Sequence, residues 1–321
     1  MSYGEKSRVA ISFQDSFGTS NVNSLHHLAL LSESVGLSIE SLVERNMRGV
    51  HDEGAHYEGP HSVAGDLEAE AHPISLGAML KAVLGEPTTI TSDGLYGHTF
   101  EPRTSDWDGK AANVPATILK YLDDGGSAQV FYDLVGSTLE LSMAHGEFLK
   151  AKVGFVGGRQ SQVAAVAASY PTGKLWTWDV VSASVATSAW PELTQLTVKL
   201  DESLEAQGTL DASKTPSRVK RTGFRVVTVD GSMKFDNQNE FQQFLAQSER
   251  ELIVHAKGSV EVQSGYYDEL TVKVPLMRYV EFNPAAGGPG QIEVGFSAKG
   301  VYSTTSATAL NITLQNTQAG Y

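Results

Sequence analysis

The chain has 321 residues, a formal net charge of −13 and no cysteine. This length suits one large domain or two of about 150 residues, each able to bury a core. The lack of cysteine excludes disulfides, thiolate catalysis and cysteine-bound zinc. The acidic balance disfavours a protein that grips the phosphates of nucleic acid. With no signal-peptide core and no apolar run approaching the roughly 20 residues that cross a bilayer, we expect folding in a reducing cytoplasm.

The first third of the chain predicts an arm, a first β unit and a helix. Residues 1–36 have the pattern of an extended N-terminal arm with one short strand. A first β unit is predicted at 37–156, where a polar loop at about 44–60 precedes a strand. The spacing of Leu76, Met79 and Leu80 then predicts an amphipathic helix. Ser75 is its predicted N-cap and Gly85 its stop.

The rest of the first unit reads as antiparallel hairpins. Apolar and polar residues alternate over 130–134, 139–143 and 149–155, which predicts strands with one buried face. Turns are predicted at Gly136-Ser137 and at residues 144–146. A connector follows at residues 157–190.

A second β unit is predicted at 191–321 with the same order of elements. A strand around Val198 leads into a polar loop at about 202–217, a strand at Val229 and a helix capped by Asn237 with Glu240 three residues later. Further strands are predicted at 251–257, 269–275, 291–299 and 307–314.

The two halves also share a short sequence. Val63-Ala64-Gly65-Asp66-Leu67 recurs as Val229-Asp230-Gly231-Ser232-Met233, and each copy precedes a helix. A repeated β unit favours a self-assembling or binding architecture over a single catalytic pocket. The predicted fold is therefore mainly β, with two tandem antiparallel β-sandwich or barrel units, each with one short flanking α-helix.

Two groups of residues are candidates for chemistry. Lys214, Arg218, Lys220, Arg221 and Arg225 form the one basic cluster, for which cross-subunit ion pairing is favoured and DNA contact is the alternative. His51, His56 and His61 lie near Asp52, Glu53 and Glu58, which are donors that a divalent metal accepts. Spacing by five fits neither one helical face nor one strand face, so a solvated or interfacial loop is the favoured interpretation.

The sequence resembles the tail tube proteins of long-tailed, siphovirus-type bacteriophages. The resemblance covers most of the chain and is carried by short motifs: Pro216 to Phe224, Val229 to Phe235, Gly65-Asp66-Leu67, Pro73 with Leu76-Gly77 and Leu84-Gly85, His98-Thr99-Phe100, and Asp15 to Thr19. Gln14-Asp15 departs from the pattern, because a glutamate is expected there.

The resemblance implies a structural virion protein with no catalysis, cofactor or metal. Its units would form six-fold rings that stack into a hollow tail tube, assembled in the host cytoplasm, through which the genome is ejected without tight binding of DNA. Expected partners are further copies of the chain, the tape measure protein and the tail-end proteins, with no membrane. The predicted ring or stacking contacts are Arg48, His51, His56, Tyr57, Lys214, Arg218, Lys220 and Arg221.

Two units per chain predict a homotrimeric ring with pseudo-six-fold symmetry. The alternative is a homohexamer in which the second half decorates the outside. Two other classes remain as alternatives: a tandem β-sandwich binding or adhesion module with a ligand at Trp176, Trp178 or Trp190, and a metal hydrolase using the three histidines.

Overall fold

The computed structural model describes residues 4–46, 49, 51–92, 94–102, 115–122, 126–285 and 290–321. Within these residues the protein is mainly β, as predicted, with two α-helices and antiparallel strand pairing throughout. Short 3₁₀ turns lie at Gly4–Lys6 and Trp178–Val180. No helix in the described part of the chain is long and apolar enough to cross a membrane.

The elements follow in chain order. The strands before residue 165 are β1 (Arg8–Phe13), β2 (His26–Leu28), β3 (Leu30–Glu33), β4 (Gly36–Val43), β5 (His56–Glu70), β6 (Thr88–Ser92), β7 (Leu95–Phe100), β8 (Ala116–Tyr121), β9 (Ser127–Ala144) and β10 (Lys150–Ala164). The later strands are β11 (Val181–Val185), β12 (Ser188–Ala189), β13 (Leu193–Asp201), β14 (Leu204–Gln207), β15 (Arg218–Arg221), β16 (Val226–Lys234), β17 (Arg250–Gln263), β18 (Tyr266–Phe282), β19 (Glu293–Gly300) and β20 (Asn311–Asn316). The helices are α1 (Leu76–Leu84) and α2 (Asn239–Leu245).

One run of hydrogen-bonded strands crosses both halves of the chain. Its order is β4, β5, β10, β9, β13, β16, β19 and β18. The predicted arm contributes to the same network, because β1 pairs with β8 and β3 pairs with β5. A second link joins the halves where β20 pairs with both β18 and β7. The main hydrophobic cluster accordingly contains residues from both halves.

Both predicted helices are present, but their burial differs. Helix α1 follows Ser75 and ends at Gly85, whose φ of 92° favours glycine, and all nine of its residues are buried. Helix α2 begins at Asn239, after Gln238, so the predicted start at Asn237 is one residue early. None of the α2 residues is fully buried, and Phe241 and Phe244 pack on Phe282 from one side.

The predicted turn at Gly136-Ser137 is wrong. β9 continues from Ser127 to Ala144 without a break, and its pairing with β10 passes over Ser137 at a register shift, while Gly136 lies opposite Phe155. Gly136 is required by close packing instead, since a Cβ there would lie 2.6 Å from the carbonyl oxygen of Ala82 in α1. The turn predicted at 144–146 is confirmed, with Gly146 at a φ of 86°.

The two long polar loops are shorter than predicted. β5 begins at His56, which leaves residues 44–55 as the first loop. In the second half, β14 and β15 form a small two-stranded sheet around residues 208–217. This sheet packs on β9 and β10 through Leu204 and Val219, which form a cluster with Val135. Strand pairing therefore extends into segments whose polar composition predicted only loops.

Candidate functional site

The junction between the halves is a pair of strands within one sheet. Residues 138–144 of β9 pair with residues 195–201 of β13. Leu139 lies opposite Leu200 and Leu141 opposite Val198, and all four side chains are buried. Burying such a side chain contributes about 1.5–3 kcal/mol, and the ladder also satisfies both edges. The two halves are thus joined edge to edge by ordinary strand addition.

The two faces of this shared sheet differ in polarity. One face is the apolar core, and the opposite face carries charged and hydroxyl side chains. Lys152 Nζ lies 3.0 Å from Asp66 Oδ2 across β5 and β10. Further along the sheet, Glu140 lies opposite Lys199 and Lys234 opposite Glu293. Cross-strand pairs of opposite charge stabilise a sheet modestly and allow a charged surface to stay nearly neutral.

We refer to this surface as the polar face. Its acidic residues are Asp66, Glu68, Glu70, Glu140, Asp201, Asp230, Glu281 and Glu293. Its basic residues are Lys150, Lys152, Lys199, Lys234, Arg278 and Lys299. The surplus of carboxylates is small and the two signs alternate, so the polar face offers no continuous basic track for a phosphate backbone.

The run of strands has two edges without a partner among the described residues. At one end, β4 pairs only with β5, and it exposes Ile39 and Leu42 by half or more. At the other end, residues 279–282 of β18 pair only with β19, and Val280 is 55% exposed. Unpaired edges that carry exposed apolar side chains are templates for pairing with another chain.

The predicted contact residues fall into separate places. His51, His56 and Tyr57 lie on or beside the hairpin of β4 and β5, where His56 Nδ1 lies 3.0 Å from Ser41 Oγ and Tyr57 is 60% exposed. Arg48 lies outside the described residues. The backbone oxygen of Lys214 accepts from the backbone N–H of His61 at 2.7 Å, which holds the loop 208–217 against β5 of the same chain.

The basic cluster makes several contacts within the chain. Lys214 forms an ion pair with Glu58, and Arg221 forms one with Glu202, which is only 1% exposed. Arg225 Nε lies 2.8 Å from the same buried carboxylate. Arg218 is exposed and donates to Gln207 Oε1 at 3.2 Å, while Lys220 is half-buried on β15. These intrachain partners leave Arg218 and Lys220 as the most available cations of the cluster.

Glu202, the buried partner of two arginines in this cluster, is not among the site residues predicted from the sequence. Burial raises its pKa, while the two guanidinium groups act in the opposite direction. Removal of this buried carboxylate would leave two partly buried guanidinium groups without their shared partner, which is strongly destabilising. A lone glutamate at the start of a polar loop carries no signal in the sequence that could have revealed this role.

The alternative ligand sites receive little support from the geometry. Within the described ranges, no group of three or more His, Asp or Glu residues is placed to hold a metal ion. His61 Nε2 instead lies 2.6 Å from Glu58 Oε1. Trp176 and Trp190 are buried, so they cannot form an open aromatic platform together with Trp178, which is 45% exposed.

A mainly β protein with two strand edges that are open among the described residues and carry exposed apolar side chains has the features of the class of proteins that assemble by joining sheets. The comparison with known families agrees with this class. A model of the phage tail tube protein family matches residues 4–300, and the chain belongs to that family. It is a structural component of the virion tail. No curated protein matches the chain.

Proposed function

We propose that copies of this chain close into rings and that the rings stack into the tail tube, the conduit for genome ejection. The observation that carries the proposal is the strand order from β4 to β18, which crosses both halves and leaves an unpaired edge at each side. Edge-to-edge pairing around a closed ring would remove both edges.

We further propose that the ring is a trimer with pseudo-six-fold symmetry. Two sets of pairings support a duplicated unit: β4 with β5 and β10 in the first half, and β13 with β16 and β19 in the second. In this correspondence β13 is the counterpart of β4, and within the chain β13 already pairs with β9. In the same correspondence β18 is the counterpart of β9. A pairing between two chains that is equivalent to β13 with β9 would therefore place β4 of one chain beside residues 279–282 of β18 in its neighbour. A second half that only decorated the outside of a hexamer would not need to share this sheet.

The polar face is the proposed lining of the lumen. Its mixture of both charge signs with a small acidic surplus supports the passage of DNA without tight binding, because retention of a phosphate backbone needs clustered cations. Absence of catalysis, and contacts with the tape measure and tail-end proteins, stay predictions.

Electron microscopy of the purified chain tests the proposal. Three chains per ring are expected, and six would contradict the trimer.

Ile39→Lys should prevent ring closure by placing a charge at the β4 junction, while the chain stays folded because Ile39 is half exposed. Ile90→Lys is the matched control, since Ile90 is an exposed isoleucine on β6, away from this junction. Rings that form equally well with Ile39→Lys would argue against β4 as the closing edge.

A further inference from the structure

The shared sheet gives the molecule two distinct ends. β5, β9, β16 and β18 run in one direction and their partners run in the other. The starts of β5 and β16 therefore lie at one end, together with segment 202–225. The end of β9 and the start of β13 lie at the opposite end, together with the turn at 144–149 and residues 177–192.

The first end carries an aromatic knob. Phe224 is 93% exposed, although its backbone is held in place. The Ser203 hydroxyl donates to the carbonyl oxygen of Phe224 at 2.9 Å, and the N–H of Thr222 donates to the carbonyl oxygen of Ser203 at 2.8 Å. A large apolar side chain that is presented on a fixed backbone and covered by none of the described residues of its own chain is typical of an anchor residue at an interface.

The opposite end carries an apolar groove of about 380 Å³. Its walls include Met143, His145, Trp178, Trp190 and Leu193. The rings of His145 and Trp178 lie nearly perpendicular with their centroids 4.2 Å apart, which gives the groove a stiff aromatic side. The groove is open to solvent and is large enough for a phenylalanine ring.

The charges at the two ends are complementary. Segment 202–225 contains five basic and three acidic residues. The two segments around the groove, 143–147 and 177–196, contain Asp179 and Glu192, together with Glu147, which pairs with Lys150 at 2.6 Å, and neither segment contains a lysine or arginine. Opposite potentials favour contact between these ends and disfavour contact between like ends.

We propose that Phe224 of one chain inserts into the groove between His145 and Trp190 of a second copy that lies end to end with it. This inference rests on the proposed assembly into stacked rings, and it names the contact that joins one ring to the next. A knob and a groove at opposite ends of one molecule make a head-to-tail contact, which propagates into an open filament. Because each chain contributes Phe224 once and this groove once, a trimeric ring makes three of these contacts with the ring above it.

Cysteine cross-linking tests the contact directly, because the chain contains no other cysteine. Thr222→Cys, which lies beside Phe224 at an exposed position and keeps its ring, and Ala189→Cys are made in separate chains, mixed and oxidised. Ala189 is exposed and lines the groove. A disulfide-linked dimer of the two variants is expected, whereas Ile90→Cys mixed with Ala189→Cys should give none. Failure of the first pair to cross-link in preparations that contain tubes would overturn the inference.

Microscopy separates this inference from the proposed function. Phe224→Ser should leave rings intact and shorten or abolish tubes, while Ile90→Ser should give tubes like those of the unaltered chain. Tubes of normal length with Phe224→Ser, or loss of the rings themselves, would contradict the role assigned to Phe224. An unaltered chain that forms neither rings nor tubes would count against the proposed function instead.

Discussion

At the scale of single residues, the two buried carboxylates of Asp133 and Glu202 each bind side chains from other segments of the chain. Asp133 is fully buried with a φ of 59°, in the left-handed region. Gln14 donates to its carboxylate at 2.9 Å and accepts from its backbone N–H at 2.8 Å, and Arg159 lies 3.1 Å from the other carboxylate oxygen. The family resemblance predicts a glutamate where Gln14-Asp15 stand, and a glutamate at position 14 would place two carboxylates together. The departure from the motif is therefore explained by Asp133.

Glu202 provides the test at this scale. Glu202→Gln should destabilise the protein by about 3 kcal/mol, because two arginines would lose a buried partner. Urea unfolding at neutral pH measures the change. Glu205→Gln is the matched control on the neighbouring strand, where the side chain is exposed, and it should stay within about 0.5 kcal/mol of the unaltered protein. Equal effects of the two substitutions would show that the buried ion pairs contribute little.

At the scale of elements, helix α1 depends on the last residues of the chain. The ring of Tyr321 covers Gly77, and a Cβ at that position would collide with it. Lys81 of the same helix donates to the backbone oxygen of Tyr321, and Asn316 donates to its hydroxyl at 2.5 Å. The C-terminal residues of the second half thus cover part of α1, all of whose residues are buried, whereas no residue of α2 is fully buried.

Gly77→Ala separates helix propensity from packing. Alanine favours a helix over glycine by about 1 kcal/mol, whereas overpacking a core costs about 1–3 kcal/mol. We expect Gly77→Ala to destabilise the native chain and to stabilise the Tyr321→Ala variant, in which the ring is removed. The double-mutant cycle is measured by thermal or urea unfolding. The same sign in both backgrounds would contradict the packing of Tyr321 on Gly77.

Local patterns predict elements well and their connections poorly. The i, i+3, i+4 spacing at Leu76 and the alternation at Leu139 gave a helix and a strand that the structure confirms. The turn predicted at Gly136 is wrong because a glycine required by packing on α1 has the same sequence signature as a glycine in a turn. Neither the pairing of β9 with β13 nor the groove beside Trp178 could be predicted, because both depend on residues that are distant in sequence.

At the scale of the whole molecule, several histidines lie where remote segments meet. Burial lowers the pKa of His26, His27, His72 and His98. His26 and His98 both lie against the ring of Tyr321, His27 lies against Tyr170, and His72 lies near Gly173. Through these contacts the neutral imidazoles pack the C-terminal residues and the connector against the first half.

The burial of these neutral histidines predicts that mild acid lowers the free energy of unfolding. His98 Nε2 lies 2.8 Å from the carbonyl oxygen of Gln318, which can only accept, and Nδ1 lies 2.9 Å from the Thr89 hydroxyl. The neutral ring satisfies both contacts. Because the folded pKa lies below the unfolded value of about 6.5, the unfolded chain binds protons first, and stability is lost as the pH falls through that value. The hydrogen bonds to Gln318 and Asn316, and nearby Glu86, oppose the lowering of the pKa at His98, whereas Lys81 reinforces it at His26.

Urea unfolding at pH 7.5 and pH 5.5 measures this dependence. The unaltered chain should be less stable at pH 5.5, and His98→Gln should show a smaller difference between the two conditions even though it is weaker at pH 7.5. His51→Gln is the control, because His51 is exposed on the loop at 44–55 and should leave the difference unchanged. If the unaltered chain were equally stable at both values, or if His98→Gln kept the full difference, burial of these neutral histidines would not be what couples the fold to pH.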